Sequence, residues 1–479
     1  MTDLLEGIDV VEVRGDPDAA EVTSVEHDSR RAVAGTLFCC LPGRHSDGHD
    51  HAPAAVAAGA VGLLVERPLV LDVPQAVVPP GQARPAMARI AAALHGAPST
   101  ALVCVGVTGT NGKTTVTHLL GAILDAHGDP AVVIGTLGGA RTTPEAPELQ
   151  RRLAEALSEG RRAAVLEVSS HALTEHRVDG IVFDAAVFTN LSHDHLDHHG
   201  TMEAYFEAKA SLFVPARARL GVVNADDPHG RRLLARPEIP LVAFSSADAA
   251  DVELTVGRTS FTWRGRRLQL PLSGAHNLAN ALAAATTAEV LGVAPDAIAA
   301  GLEQVLPVPG RFEVVGPPAP FTVVVDYAHT PDGLRAALAG ARSLAGGARV
   351  LCVFGCGGDR DRAKRPAMGA AAAAGADVVV VTSDNPRSED PAAIIDEVLA
   401  GIDEGPATVV VEPDRALAID RAVALAQPGD LVVVAGKGHE TVIEAGVRTT
   451  PFDDRQVAAA AVTARLAGRR PGGATGAGA

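Results

Sequence analysis

The stretch ALVCVGVTGTNGKTTVTHLLGAILDAHG, residues 101–128, restricts the fold more than any other. It opens on an apolar run with no polar alternation. A strand of that kind is buried on both faces, which is the condition of a parallel sheet covered by helices. It closes on apolar positions at helical spacing, VTHLLGAILDAHG, with a glycine as the stop. Between the two lies GTNGKTT, Gly109 to Thr115. Its glycines let backbone N–H groups approach phosphates, and the helix start adds positive potential. Lys113 is placed to reach terminal phosphates and Thr114 to hold Mg²⁺. The strict phosphate-loop pattern has Gly where this chain has Val107, so the loop is a variant.

The same reading extends along the chain. AAVLEV, DAAVFTN and LGVVN predict further buried strands, and HNLANALAAATTAEVLG predicts a helix. Residues 1–98 carry short apolar runs (TLFCCL, AVGLLVE, QAVVP) between turn residues, as in a small α/β unit. VLPVPGRFEVVGPPAP reads as a boundary. Beyond it FTVVVDY, VLCVFG, DVVVVTS, TVVVEP and DLVVVAG alternate with Ala-rich helices, which predicts a Rossmann-like α/β domain. The expected division is 1–98, 99–307 and 308–467, with a disordered tail at 468–479. Ligands bind such sheets at the carboxyl ends of strands, where DYAHTPDG, GCGGDRDR, SDNPRSED and GKGHE fall.

With 479 residues and 3% aromatics, the cores must be Ala, Val and Leu. The net charge of −16 argues against nucleic acid and requires a local basic pocket for any polyanionic substrate. The start, MTDLLEGIDVVEVRGD, lacks a secretory pattern, and no apolar stretch is long enough to span a bilayer. Five scattered cysteines make neither a disulfide framework nor a zinc site. The expectation is a soluble, cytoplasmic protein.

Three further features carry chemistry. Glu167 ends AAVLEV beside the phosphate loop, where a carboxylate ligates Mg²⁺, and is followed by Ser169, Ser170 and His171. TNLSHDHLDHHGT holds His193, His195, His198 and His199. It reads as a zinc or nickel cluster, as a phosphate-site loop in which His195 joins a metal, or as a solvated loop. Lysine is rare: only Lys113, Lys209, Lys364 and Lys437 stand among 41 basic residues. Lys209 either pairs with Glu207 or another carboxylate, or does something an arginine cannot.

GVTGTNGKTT, LEVSSHAL, TNLSHDHLDHHGTMEAYFEAKASLF, DYAHTPDGL, GCGGDRDRAKRP, SDNPRSEDP and GKGHE together resemble the Mur ligases. The likeness is strongest to those members that add the third peptide residue to a UDP-muramoyl dipeptide. It implies three domains, for UDP-sugar, ATP and amino acid, and the cofactor Mg²⁺. It also implies that Lys209 is carbamylated, since a neutral amine adds CO₂ and a guanidinium does not. Catalysis would fall to Lys113, Lys209, Glu167 and His195, with Thr114, Glu167, His195 and carbamylated Lys209 on the metal. ATP would meet Gly109, Thr110, Asn111, Gly112, Lys113, Thr114, Thr115, Asn277, Arg311 and Asp326, with His329 close by. The UDP-peptide would meet Ser29, His45 in GRHSDG, Thr142, Thr143, Ser169, Glu175 and Arg177. The amino acid would meet Arg360, Asp384, Asn385, Pro386, Arg387, Gly436 and Glu440. In this family DNPR accompanies diaminopimelate, whose distal carboxylate an Arg fork binds, while Glu440 suits its distal ammonium.

The resemblance thus implies an ATP-dependent ligase that extends UDP-MurNAc-L-Ala-D-Glu; charge and hydropathy argue against nucleic acid and membrane insertion, and a monomer is the expectation. The chain departs from the family in a short segment before Thr142, in Glu175 and in TVIEAG after GKGHE. A paralogue using another amino acid or nucleotide-sugar peptide, a folylpolyglutamate synthetase, and a P-loop NTPase without ligase chemistry are the rivals. DNPR and TTPEA oppose the synthetase. ATP hydrolysis independent of any amino acid would mark the NTPase.

Overall fold

The computed structural model describes residues 1–468 except 20, 44, 45, 140 and 404. His45 and the expected disordered tail beyond Gly468 therefore lie outside the described residues. The chain forms three successive α/β sections, each built on its own sheet.

The first sheet has five strands in the order Glu12–Arg14, Gln75–Val77, Ala60–Val65, Thr36–Cys39, Ser24–Glu26. Only the Glu12–Arg14 edge is antiparallel.

The second sheet is wholly parallel, in the order Leu241–Phe244, Gly221–Asn224, Ala185–Phe188, Val103–Thr108, Ala163–Glu167, Ala131–Ile134. Val103–Thr108 lies inside it, and Val105 and Val107 are fully buried, as an uninterrupted apolar run requires. Val107 pairs with Glu167 and Val187. It belongs to the strand, so the phosphate loop begins only at Gly109. The helix Lys113–His127 then lies back on the sheet, its Leu119, Leu120, Ile123 and Leu124 in the core.

A three-stranded antiparallel sheet, Ala249–Thr255, Arg258–Trp263 and Arg266–Leu270, follows. It has no counterpart among the sequence expectations.

The third sheet runs Glu313–Val314, Thr322–Asp326, Leu431–Ala435, Val350–Phe354, Val378–Val381, Thr408–Val411, with five parallel strands and an antiparallel edge. Helices cover both faces in two apolar clusters. The layers are Rossmann-like. The last parallel strand, however, inserts between the first and second, so its end, GKGHE, emerges beside DYAHT and GCGG. A hairpin, Val442–Ala445 with Arg448–Pro451, leaves the same end.

Candidate active site

The phosphate loop is held by backbone geometry and by the TN of TNLSHDH. Gly109 (φ 150°) and Gly112 (φ 87°) turn the chain where other residues are strained. A Cβ on Gly109 would lie 1.9 Å from Thr189 Oγ1. The Thr189 hydroxyl donates to Asn111 O at 2.6 Å, and Asn111 N donates to Asn190 Oδ1 at 2.9 Å. The helix has no side-chain cap, so its first-turn amides, Lys113, Thr114 and Thr115 among them, keep their donors for a ligand. Lys113 Nζ donates to Gly109 O at 2.8 Å and to Thr110 O at 2.9 Å, and burial depresses its pKa.

A cavity of about 430 Å³ lies over this loop, between the second and third sections. Thr110, Gly112, Thr115, Asn277, Arg311 and Asp326 line it. Asn277 is buried in the helix Ala275–Val290 and faces the cavity with Asn280. Arg311 crosses from the third section. Its Nη2 donates to Thr114 Oγ1 at 3.0 Å, its guanidinium stacks 4.4 Å from the Tyr327 ring, and its buried Nε has no partner. Asp326 accepts from Phe312 N at 2.7 Å and Ala328 N at 2.9 Å, which fixes the turn bearing Arg311. Two cations, an orphaned Nε–H and uncapped amides suit a polyphosphate.

Glu167 stands at the strand end beside the loop. It accepts from Thr114 Oγ1 at 3.0 Å, Thr136 Oγ1 at 3.1 Å and Thr136 N at 2.8 Å. His195 lines the same cavity with a left-handed backbone (φ 54°), and burial pushes its pKa down to about 4, so its imidazole is neutral at pH 7. Hard oxygens from Thr114 and Glu167 with a neutral imidazole fit a hard divalent cation. The zinc or nickel reading does not hold: among the described residues no group of three or more His, Cys, Asp or Glu side chains is arranged to bind a metal. The rings pack instead on one another and on Tyr205, with His171 to His198 at 4.1 Å and His199 stacked on Tyr205 at 5.0 Å.

Lys209 is fully buried. Its Nζ donates to Gly109 O at 2.9 Å and sits 4.6 Å from the Tyr205 ring centre. Burial, then Lys113, drives its pKa well below the ordinary lysine value. Pairing with Glu207 is excluded, because Glu207 faces Arg232 at 3.2 Å. An uncharged amine without a carboxylate partner is the form that CO₂ modifies.

At the seam of the first and second sections lies a basic cluster. Arg177 donates to Thr143 O at 3.1 Å, approaches Glu145 at 3.1 Å and pairs with Glu175. Arg141 reaches Glu145 at 2.8 Å and Arg84, from the first section, at 3.4 Å. Thr143 Oγ1 donates to Glu167 O at 2.8 Å and accepts from Ser169 N at 3.1 Å, while Thr142 accepts from Thr136 Oγ1 at 3.1 Å. Ser29 sits in a 3-10 turn two residues after His27, whose pKa burial depresses against the opposing pull of Glu145. Arg84, Arg141 and Glu145 are absent from the sequence expectations. The local signal was Arg141 beside the Thr142–Thr143 pair; Arg84, far earlier in the chain, had none.

The third cluster joins three strand ends. Arg387 (φ 51°) donates from Nε to Glu444 Oε2 at 3.0 Å and from Nη1 to Gly358 O at 2.9 Å. A Cβ on Gly358 would lie 1.9 Å from Pro386 O, and one on Gly357 3.0 Å from Arg387 Nη1 and 3.9 Å from Arg360 Cγ, so GCGGDR and DNPR interlock. Lys437, fully buried, donates to Asn385 Oδ1 at 2.9 Å and Glu440 Oε2 at 3.1 Å, and lies 3.6 Å from Asp384. Glu440 therefore already has a cation, which the sequence reading assigned to substrate. A Cβ on Gly436 would lie 2.8 Å from Asp384 Oδ2. Behind them Arg415 clamps Asp454 through two 2.7 Å bonds and donates to Ser383 O at 3.1 Å and Ala435 O at 3.0 Å. It thereby fixes both loops.

Family models match in order along the chain: a Mur ligase family catalytic domain at 21–95, a Mur ligase middle domain at 107–288, and a Mur ligase glutamate ligase domain at 310–438. A UDP-N-acetylmuramoyl-L-alanyl-D-glutamate–2,6-diaminopimelate ligase of Geobacillus thermodenitrificans is 44% identical over 476 residues, covering 94% of this chain and 96% of that one. One of the same name from Streptomyces coelicolor is 44% identical over 485 residues, covering 95% of each. A solved structure of that name superposes with a TM-score of 0.66 at 33% identity, covering 95% of this chain and 98% of that one. Three Mur ligase models match in order along the chain and relatives match over nearly its whole length, so the chain belongs to the Mur ligase family.

Proposed function

We propose that this Mur ligase uses ATP to join diaminopimelate to UDP-N-acetylmuramoyl-L-Ala-D-Glu, a cytoplasmic step of peptidoglycan precursor synthesis carried out by a monomer. Residues 1–98 bind the UDP-sugar, 99–307 bind ATP, and 308–467 bind the amino acid. Full-length relatives of that printed name support the reading. The observation that carries it is the cluster at DNPR, where Arg387 keeps N–H donors free beside Arg360 and Lys437.

The chain's residues then divide the work. Arg177, Arg141 and Arg84 hold the acidic UDP-peptide at the seam of the first two sections. Uncapped helix amides, Lys113 and Arg311 hold the phosphates of ATP. The D-Glu carboxylate attacks the γ-phosphorus, which releases ADP and leaves an acyl phosphate. The amine of diaminopimelate attacks that carbonyl and phosphate departs. Lys113 and the loop amides stabilise charge as it develops on phosphoryl oxygens and on the tetrahedral oxyanion. Thr114, Glu167, His195 and carbamylated Lys209 would hold Mg²⁺, which supplies further neutralisation of that charge. Asn277 faces adenine, and Asp326 keeps Arg311 in place.

Phosphate release with UDP-MurNAc-dipeptide and a panel of amino acids tests the proposal. Release should depend on diaminopimelate. Release without any amino acid, or with lysine in preference, would sink it. No described helix is long and apolar enough to cross a membrane.

A further inference from the structure

We infer that Glu444 sets amino-acid selectivity by sharing the charge of Arg387, weakening the preference for a distal carboxylate and giving a distal ammonium a partner. The inference rests on the diaminopimelate reading above.

A guanidinium has five N–H donors. Arg387 spends its Nε–H on Glu444 Oε2 at 3.0 Å and one Nη1–H on Gly358 O at 2.9 Å. Nη2 and the second Nη1–H remain for a ligand. A carboxylate bound there lies on the same planar cation as the Glu444 carboxylate, so the two anions compete for one positive charge.

Glu444 is not a side chain that has wandered in. Arg387 N donates to Glu444 O at 2.9 Å, and Gly446 N donates to Arg387 O at 2.6 Å. Glu444 N donates to Asn385 Oδ1 at 3.1 Å. The hairpin carrying Glu444 is thus stitched by its backbone to Asn385 and Arg387. Among the described residues Arg387 is its one ion-pair partner. The other carboxylates of the cluster are differently placed: Lys437 lies 3.1 Å from Glu440 and 3.6 Å from Asp384. Glu444 is therefore the carboxylate positioned to answer an incoming charge. Its side chain is 46% exposed and that of Arg387 25%, so the pair is reachable from solvent and its effect is partly screened.

The sign follows from charge. A distal carboxylate is attracted by Arg387 and repelled by Glu444, and a distal ammonium, as in lysine, meets the reverse. Diaminopimelate carries both groups at its distal end, so 2-aminopimelate, which has the carboxylate without the ammonium, isolates the first effect. A neutral side chain of the same length is indifferent. Glu444→Gln keeps the shape and the backbone bonds and removes only the charge. KM for 2-aminopimelate should fall about fivefold, equivalent to about 1 kcal/mol. KM for lysine should rise by a similar factor, and KM for norleucine should hold. The change in the 2-aminopimelate-to-lysine ratio should shrink in high salt.

Phosphate release by wild type and Glu444→Gln with these three amino acids is the test. Opposite shifts for 2-aminopimelate and lysine support the inference. Shifts of one sign for all three, or none, overturn it while leaving the function standing, because they mark a structural role. A wild type that ignores diaminopimelate overturns both.

Discussion

Lys209 is buried with its Nζ against a backbone carbonyl and an aromatic ring, and among the described residues no carboxylate reaches it. Burying an unpaired ammonium is costly, so burial and the neighbouring Lys113 favour the neutral amine against the weaker pull of Asp194, and a neutral amine is what CO₂ modifies. Lys209→Arg should therefore lose more than about 100-fold in kcat, because a guanidinium stays protonated and carries no carbamate. In Lys209→Ala, added short-chain carboxylates should restore part of the rate by supplying the missing oxygen ligand. Near-wild-type phosphate release by Lys209→Arg would return Lys209 to a packing role. Arg387 makes the second residue-scale case. Arg387→Ala should raise KM for diaminopimelate by about 30- to 1,000-fold, since it removes a charged contact and leaves Glu444 facing the substrate carboxylate. Affinity for ATP should hold, because the phosphate loop is in another section. An equal loss in both would mean that the DNPR loop had collapsed rather than lost a contact.

The strand–loop–helix element depends on backbone that only glycine adopts comfortably. Gly109→Ala places a Cβ 1.9 Å from Thr189 Oγ1 at φ 150°, so Thr189 must release Asn111 O. We expect a strain of about 1–3 kcal/mol and nucleotide binding weakened more than tenfold, both measurable by calorimetry. The histidine-rich element has its own signature. Burial depresses the pKa of His171, His195 and His199 to about 4. In the unfolded chain these groups bind protons near the ordinary histidine pKa of about 6.5. Their folded, neutral state contributes stability that is fully present above that value and is lost as pH falls from there through 4. The Tm should drop between pH 7 and pH 5, and His171→Gln with His199→Gln should flatten that slope. The strand–loop–helix element was legible in the sequence, because continuous apolar runs and Gly-rich turns are local signals. The three-stranded sheet from Ala249 to Leu270 was not. Its first strand is largely exposed and lacks clean alternation, and its two turns are marked only by Gly257, at φ 75°, and by Arg264 and Gly265, at φ 50° and 74°. The metal-cluster reading of the four histidines failed for a related reason: spacing places rings near one another without orienting their nitrogens.

At the scale of the whole molecule, several residues that escaped the sequence reading have partners far along the chain, in the same section or in another. Arg84 meets Glu145 across 61 positions, and Arg415 meets Asp454 across 39. Insertion of Leu431–Ala435 between Thr322–Asp326 and Val350–Phe354 likewise leaves no trace in any local period. Phosphate-loop, DYAHT and DNPR residues, each beside its own glycine or proline, could be read one by one, but not which of them meet. Arg311 is the clearest such meeting. It is carried by the third section, reaches Thr114 of the second across 197 positions, and stacks on Tyr327 on the way. We therefore propose it as the residue through which bound nucleotide couples the two sections. Arg311→Ala removes a charged hydrogen bond of about 1.5–3 kcal/mol, so binding of a non-hydrolysable ATP analogue should weaken by about 10- to 150-fold. The UDP-dipeptide should bind as before, because Arg177, Arg141 and Arg84 lie at the opposite seam and touch neither Arg311 nor Asp326. Calorimetric titration of each ligand separates the alternatives. A loss confined to nucleotide locates the coupling in Arg311, whereas equal losses for both ligands would mean that the substitution loosens the central section itself.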